Sequence, residues 1–147
     1  NATYACAEVV NSGGGGTNYL LSFRAASGSS NLGAITHNGT NVTYATSSDY
    51  RLKENITPMT GALAKVSTLK PVTYKWKSDG SNGEGFIAHE LQAVIPSAVE
   101  GEKDAEDQIQ SLKLDALCSV LAKAIQELNA KIDAQAAEIA ALKGTQQ

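Results

Sequence analysis

The C-terminal part of the chain repeats apolar residues at alternating steps of four and three, and this feature constrains the fold most. The apolar positions are Leu114, Cys118, Leu121, Ile125, Leu128, Ile132, Ile139 and Leu142, and Gln135 occupies the one polar slot. This heptad spacing is typical of a coiled coil, with Cys118 and the isoleucines at position a and the leucines at position d. We therefore predict a long coiled-coil helix over residues 109–144, ended by Gly144.

The identity of the seam residues leaves the number of helices in the coiled coil open. Isoleucine at position a with leucine at position d favours two strands in isolated coiled coils. The polar Gln135 is expected to fix the register of the paired helices. The alternative is a single helix that packs back on its own globular part.

Residues 1–47 have a different composition: Gly, Ser, Thr and Asn dominate, and large side chains are few. Short strands are predicted over residues 3–10, 19–25, 32–36 and 42–46, with a turn cluster at residues 27–31 and a hairpin turn at Asn38 and Gly39. Four consecutive glycines at residues 13–16 supply no packing. A segment this poor in core material is expected to borrow a core from identical neighbours, as the β stem of a fibre does. A small sandwich is the alternative.

The middle of the chain mixes helical and strand patterns. We predict a helix over residues 54–70 that starts at Thr57 and Pro58 and stops before Pro71. Strands are expected over residues 72–77 and 85–88, a helix over 89–94, and an exposed acidic loop over 100–107. The predicted fold is therefore α+β, with a β-rich stem (1–47), a small globular part (48–108) and a long helix (109–144).

Composition argues against several classes of partner and cofactor. The net charge of −3 gives no basic footprint for nucleic acid. No apolar run approaches the roughly 18–20 residues that span a membrane. The two histidines and two cysteines lack ligand spacing, so neither a metal nor any other cofactor is expected. Cys6 and Cys118 are interpreted as two reduced small hydrophobes rather than a disulfide.

A hydroxyl and an amine lie five residues apart where the composition changes, at Ser48 and Lys53. Cleavage of a peptide bond needs a nucleophile and a base, and a serine–lysine pair is one known combination. A lysine acts as a base only when it is neutral, and burial favours that form. A spacing of five separates the two side chains on a regular helix or strand. Either a turn folds between them, or the lysine comes from a neighbouring subunit and cleavage waits for assembly.

Residues 48–56, SDYRLKENI, resemble the start of the C-terminal intramolecular chaperone domain of phage tailspikes and tail fibres. Further similar segments follow in order, LKPVTYKW at residues 69–76 and GFIAHELQ at residues 85–92, and then the coiled-coil-like helix. The resemblance covers roughly residues 48–143. This family is known from endosialidase tailspikes, is classed as a self-cleaving peptidase and also occurs in myelin regulatory factor.

The resemblance implies a homotrimer in which Ser48 and Lys53 form the self-cleavage dyad. The scissile bond is then either the one between Ser47 and Ser48 or the one between Ser48 and Asp49, and attack by Ser48 on its preceding carbonyl favours the first. Ser47 is a rival nucleophile by sequence alone. The family pattern, with Asp49 following directly, selects Ser48.

Several other polar residues are candidates for supporting roles. Asp49, Arg51, Glu54 and Asn55 either orient the dyad or serve as surface and capping residues. His89 and Glu90 resemble an acid–base pair, but a structural role is expected for them.

The sequence thus suggests a helix that aligns three chains, with the chain's own upstream stem as folding client, and a dyad that later releases residues 48–147. Assembly is expected in the host cytoplasm, with the mature upstream part in the virion tail and without nucleic acid or membrane. We expect the chain to be the end of a longer protein. A permanent trimerisation clasp without cleavage is the alternative. A transcription-factor segment is a third interpretation, against which the Gly-rich stem and the lack of a basic patch argue.

Overall fold

The computed structural model of the protein describes residues 18–24 and 31–144. The chain divides into two compact units, Asn1–Ile56 and Thr57–Gln147. Antiparallel strands and helices occur together, so the predicted α+β class is confirmed. The strand predicted over residues 3–10 and most of the turn cluster predicted at 27–31 lie outside the described residues.

The first unit contains a three-stranded antiparallel sheet with the order β1-β2-β3. The strands are β1 (Asn18–Arg24), β2 (Asn31–His37) and β3 (Val42–Thr46), which confirms three predicted strands to within one residue at each end. Ile35 lies opposite Leu21 on one side and Tyr44 on the other, so these three side chains share a face. That face is open, because Leu21 is 50% and Tyr44 79% exposed. The three-stranded sheet therefore has an apolar face without a covering layer among the described residues.

The predicted hairpin between β2 and β3 is confirmed, but only one of the two signal residues has a positive φ. Gly39 has a φ of +89°, whereas the described non-glycine residues with positive φ are Asn55 and Asp104. Asn38 instead uses its side chain: Oδ1 accepts hydrogen bonds from the backbone N–H groups of Thr40 (3.0 Å) and Asn41 (2.9 Å). This Asx-type turn is the reason why asparagine is favoured at the start of the loop.

The helix predicted over residues 54–70 is wrong in its first half. Helix α1 covers only Ala62–Thr68, and its N-cap Gly61 adopts a left-handed conformation with φ 70°. Ile56 is 70% exposed, so the apolar repeat that suggested the longer helix has nothing to pack against at its start. Helices gain most of their stability from packing of an apolar face. The helix therefore forms only where Ala62, Leu63 and Val66 join the core.

The strand predicted over residues 85–88 is displaced. Strand β4 (Val72–Lys75) pairs with β5 (Asn82–Gly85), and helix α2 (Ala88–Val94) follows almost at once. Tyr74 lies opposite Gly83, and a Cβ on Gly83 would meet the tyrosine ring at 2.5 Å. The sequence therefore places its glycines where the Tyr74 ring crosses the hairpin, a cross-strand requirement that the apolar run GFIA does not reveal.

The long helix α3 covers Leu114–Gly144 and has 31 residues. It begins at Leu114 rather than at residue 109, because a short strand pair, β6 (Val99–Glu100) with β7 (Ser111–Leu112), precedes it. The acidic segment between these two strands is an irregular and largely exposed loop, as predicted. Helix α3 supplies three residues to the core of the second unit, whose buried members are Ala62, Leu91, Ile95, Ala98, Val99, Leu117, Val120 and Ala124.

Candidate functional site

A single 3₁₀ turn brings Ser48 and Lys53 together just after β3. The turn covers Tyr50–Leu52 and is closed by hydrogen bonds from Leu52 N to Asp49 O (3.1 Å) and from Lys53 N to Tyr50 O (3.0 Å). It reverses the short segment so that Lys53 Nζ donates a 2.6 Å hydrogen bond to Ser48 Oγ. The turn that a spacing of five requires is thus present within one chain.

The contact between Ser48 and Lys53 lies on the surface of the first unit, because both residues are exposed. In the observed arrangement the lysine is the donor, as expected for an ammonium group. For proton abstraction the direction must reverse, so that a neutral amine accepts from the serine hydroxyl. Water favours the charged amine. Base chemistry at Lys53 would therefore require a partly dehydrated environment that one chain does not provide in its described part.

The Asp49 carboxylate and the Arg51 side chain form a compact pair within the same turn. Asp49 Oδ1 accepts hydrogen bonds from the backbone N–H and the Nε of Arg51, both at 2.9 Å, and Oδ2 accepts one from Nη2 at 2.7 Å. The guanidinium of Arg51, then its backbone N–H and, more weakly, the charge of Lys53 lower the pKa of Asp49. The same pairing raises the pKa of Arg51. The two side chains form a bidentate clamp across the first half of the turn.

The remaining predicted site residues adjoin this turn in sequence. Ser47 directly follows β3 and is exposed. Glu54 and Asn55 are exposed as well, and Asn55 adopts a left-handed conformation with φ 52°. Asparagine tolerates this conformation better than most residues. Asn55 therefore redirects the backbone two residues after Lys53.

Helix α3 carries the predicted seam on an open face. Cys118 is free and exposed, and Ile125 and Leu142 are 68% and 66% exposed. The other large seam residues are also exposed: Leu114, Leu121, Leu128, Ile132 and Ile139. From residue 128 to residue 144 every position of the helix is exposed. The C-terminal half of α3 is therefore exposed along its length in the described part of the chain.

A second apolar face of α3 binds the globular part. Leu117, Val120 and Ala124 are buried on the face of α3 that contacts α1 and the turn after α2. At about 100° per residue, this face lies roughly a quarter turn from the seam. A coiled coil and a helix packed on its own unit are thus not mutually exclusive interpretations of α3. One face of the helix packs on its own unit, while the neighbouring face, which carries the seam, stays open.

Glu127 is a residue that the sequence analysis missed. Its Oε2 accepts a 2.8 Å hydrogen bond from the backbone N–H of Leu63, in the first turn of α1. This N–H, those of Ala62 and Gly61, and the charge of Lys123 all lower the pKa of Glu127. The available signal was Gly61, which precedes a helix start without offering a side-chain cap.

His89 and Glu90 both lie in the first half of helix α2. Glu90 lies 3.5 Å from Lys70 in an ion pair, and His89 is exposed. Among the described residues, no group of histidine, cysteine, aspartate and glutamate side chains could hold a metal ion. Within the described ranges, no helix has the length and apolarity needed to cross a membrane.

Comparison with known proteins finds a family match that begins just before this turn. Residues 48–100 match the model of a peptidase family described as chaperone of endosialidase. The long tail fiber protein Gp37 of Enterobacteria phage K3 is 35% identical over 92 residues, which cover 58% of this chain and 7% of the relative. Gp37 of Enterobacteria phage T2 has the same identity and coverage. The chain therefore spans only 7% of the length of these curated relatives. The family match begins at Ser48, whose hydroxyl contacts Lys53.

Proposed function

We propose that residues 48–147 form an intramolecular chaperone released by its own serine, because residues 48–100 match the model of the chaperone of endosialidase family. In this proposal the chaperone joins three copies of the chain, sets the register of the stem upstream, and is then cut off at Ser48. The parts are the end of the stem (1–47), the globular part (48–108) and a trimeric helix. That helix begins at Leu114.

The observation that carries the catalytic proposal is the 2.6 Å contact between Lys53 Nζ and Ser48 Oγ. A nucleophile and its base must lie within hydrogen-bonding reach, and this pair does so at the first residue of the family match. A one-residue shift in the turn would separate the two groups. The contact therefore meets the geometric requirement that serine–lysine catalysis sets for this segment.

The proposed cleavage is an acyl shift followed by hydrolysis. Ser48 Oγ attacks the carbonyl carbon of Ser47 while Lys53 Nζ takes the hydroxyl proton. The new bond is an ester between the Ser47 carbonyl and Ser48 Oγ. The bond that breaks is the amide to the Ser48 nitrogen, which receives the proton. Water then hydrolyses the ester, which leaves a carboxylate on Ser47 and restores the Ser48 hydroxyl.

The open seam of α3 supports the assembly part of the proposal. Its large apolar side chains are costly to expose in water, and they are arranged in heptads that a second and third helix can fill. The stem sheet likewise exposes Leu21, Phe23 and Tyr44, which suits a strand layer completed by other copies. Helices joined at one end hold the stems at high effective concentration and reduce slipped strand pairings.

The relatives suggest where this chaperone acts. The matched proteins are long tail fiber proteins of two phages. We propose that this chain is likewise part of a phage tail fibre, that it assembles in the host cytoplasm and that the upstream part enters the virion tail. Loss of the chaperone after assembly makes unfolding of the stem hard to reverse, which leaves the fibre kinetically stable.

The test is a comparison of two neighbouring serines in the full chain. Denaturing electrophoresis and mass spectrometry should detect a fragment of about 100 residues that begins at Ser48. Ser48→Ala should abolish this fragment, whereas Ser47→Ala should still yield it. Persistence of the fragment in Ser48→Ala would overturn the catalytic assignment.

A permanent trimerisation clasp is the second candidate function. The observation that favours it is the exposure of both Ser48 and Lys53. A clasp predicts that the unaltered chain stays intact while it forms oligomers. The same gel, combined with light scattering of the native protein, separates the two candidates.

A further inference from the structure

We propose that Asp49 and Arg51 are the positioning residues of the cleavage site, and that Arg51 also neutralises Asp49 so that Lys53 can give up its proton. This inference rests on the proposed cleavage by Ser48 and Lys53. It assigns two distinct tasks, one geometric and one electrostatic, to two side chains of the turn that joins Ser48 and Lys53.

The geometric task follows from the order of hydrogen bonds along the turn. Asp49 is the N-cap residue, and its carboxylate accepts the backbone N–H of Arg51. The Arg51 guanidinium then binds both carboxylate oxygens and fixes the rotamer of Asp49. With Asp49 fixed, its backbone carbonyl is positioned to accept the N–H of Leu52, and the next carbonyl accepts that of Lys53. The clamp therefore sets the path of the backbone from Ser48 to Lys53.

The electrostatic task follows from the charges that face Asp49. Among the described residues, the cations acting on its carboxylate are the Arg51 guanidinium and, more weakly, the Lys53 ammonium, while Glu54 adjoins Lys53 in sequence. An unpaired carboxylate here would stabilise the ammonium form of Lys53 and compete with Ser48 for it. Bidentate pairing with Arg51 cancels most of that charge. Arg51 thus favours the neutral amine that the reaction needs.

These two tasks predict opposite pH effects for two substitutions. In Arg51→Ala the Asp49 carboxylate is unpaired, so the rate–pH profile of cleavage should move up by about half a pH unit. In Asp49→Asn the Arg51 cation is unpaired and repels the ammonium, so the profile should move down by a similar amount. The amide of Asp49→Asn can still accept the backbone N–H of residue 51. Both variants should cleave about tenfold more slowly than the unaltered chain at their own optimum, since the reacting groups are less well aligned.

The experiment uses the full chain made by cell-free translation and transferred, before cleavage, to buffers from about pH 6 to about pH 10. Appearance of the fragment that begins at Ser48 gives the rate at each pH. Arg51→Lys restores the charge but not the two-point grip. Arg51→Lys should therefore restore the midpoint of the rate–pH profile. The cleavage rate should recover only in part towards that of the unaltered chain.

Asp79→Asn is the matched control. Asp79 also accepts a backbone N–H and a side-chain hydrogen bond two residues ahead, from Ser81, but in the other unit of the chain. The cleavage rate of the Asp79→Asn variant and the midpoint of its rate–pH profile should equal those of the unaltered chain. Equal midpoints for Arg51→Ala and Asp49→Asn, or shifts in the same direction, overturn the electrostatic task. Unaltered rates in both variants overturn the geometric one. If Ser48→Ala still cleaves, it is the proposed function that fails rather than this inference alone.

Discussion

Glu127 of α3 accepts a 2.8 Å hydrogen bond from the backbone N–H of Leu63, so the long helix caps the start of α1. Helix α1 has no side-chain cap of its own. A carboxylate at a helix N-terminus satisfies free N–H groups and interacts favourably with the helix dipole. The contact joins two elements that are 64 residues apart in sequence.

Glu127→Gln should lower the Tm at neutral pH, because the amide caps α1 without a charge. The folded-state pKa of Glu127 is lowered, chiefly by the Leu63 N–H. Its stabilisation is therefore fully present above the unfolded pKa of about 4.3 and is lost as the pH falls through the folded-state value. The difference in Tm from the unaltered chain should shrink towards zero in acid. Glu138→Gln, on an exposed position of the same helix, is the control and should show no such trend.

Lys53→Arg should abolish cleavage although it keeps a positive charge and hydrogen-bond donors beside Ser48. An arginine stays protonated throughout the accessible pH range and cannot act as a base. Cleavage by the unaltered chain should accelerate as the pH rises, because the neutral amine becomes more abundant. Time courses on denaturing gels measure both effects. Residual cleavage in Lys53→Arg would show that Lys53 only positions the serine.

Ile132→Lys should convert the oligomer to monomers. Ile132 is 52% exposed in the single chain and lies in the middle of the open seam, where a lysine would be buried among apolar residues of other helices. Ala130→Lys places the same side chain on the opposite side of α3 and should leave the oligomer intact. Light scattering at fixed protein concentration gives the masses. If the unaltered chain proved to be monomeric, the prediction that the seam joins helices of different chains would be refuted.

Cys118 should report whether the helices run parallel and in register. At position a of a parallel trimer, three copies of Cys118 meet near the axis, within the Cα separation of roughly 4.4–6.8 Å that a disulfide needs. Mild oxidation of a Cys6→Ser chain should link two of every three subunits into a covalent dimer. Non-reducing electrophoresis shows the product. An intact trimer that forms no covalent dimer would indicate an antiparallel or shifted arrangement.

Gly83→Ala should destabilise the hairpin of the second unit by about 1–3 kcal/mol, as overpacking does elsewhere. The new Cβ would lie 2.5 Å from the ring of Tyr74, which also packs edge-on against Trp76 at 5.2 Å. Gly85→Ala is the matched control, because its Cβ would meet the same ring at 3.8 Å, an ordinary contact. Urea unfolding curves compare the two. Similar curves for both variants would mean that the ring moves aside freely.

Some elements were predictable because short segments of sequence encode them. The paired strands β2 and β3 follow from alternation around Asn38 and Gly39, and the seam of α3 follows from its heptads. Helix α1 was not predictable in its full extent, since Ile56 and Met59 continue the apolar repeat but find no core to enter. Strand β5 was displaced in the prediction for a similar reason: Gly83 is needed by Tyr74 on the opposite strand.

The candidate site was likewise predictable in part from the sequence. Ser48 and Lys53 were recognisable by residue type and order, but their spacing left two arrangements open. The turn clamped by Asp49 and Arg51 determines which arrangement the single chain adopts. Glu127 was not identified from the sequence, because a glutamate on a helix has no local signature of a capping role and Gly61 marks only the helix start that lacks a cap.

The amino-acid sequence by itself determined the local features: the heptad face of α3, the turn between β2 and β3, and the hydroxyl and amine at Ser48 and Lys53. Only the tertiary structure decided how far α1 extends, which face of α3 is used internally and that Lys53 reaches Ser48. The physical reason is the separation along the sequence of the residues that determine each feature. A repeat or a turn depends on neighbours within a few residues, whereas helix ends and side-chain distances depend on packing and capping partners from elsewhere in the chain.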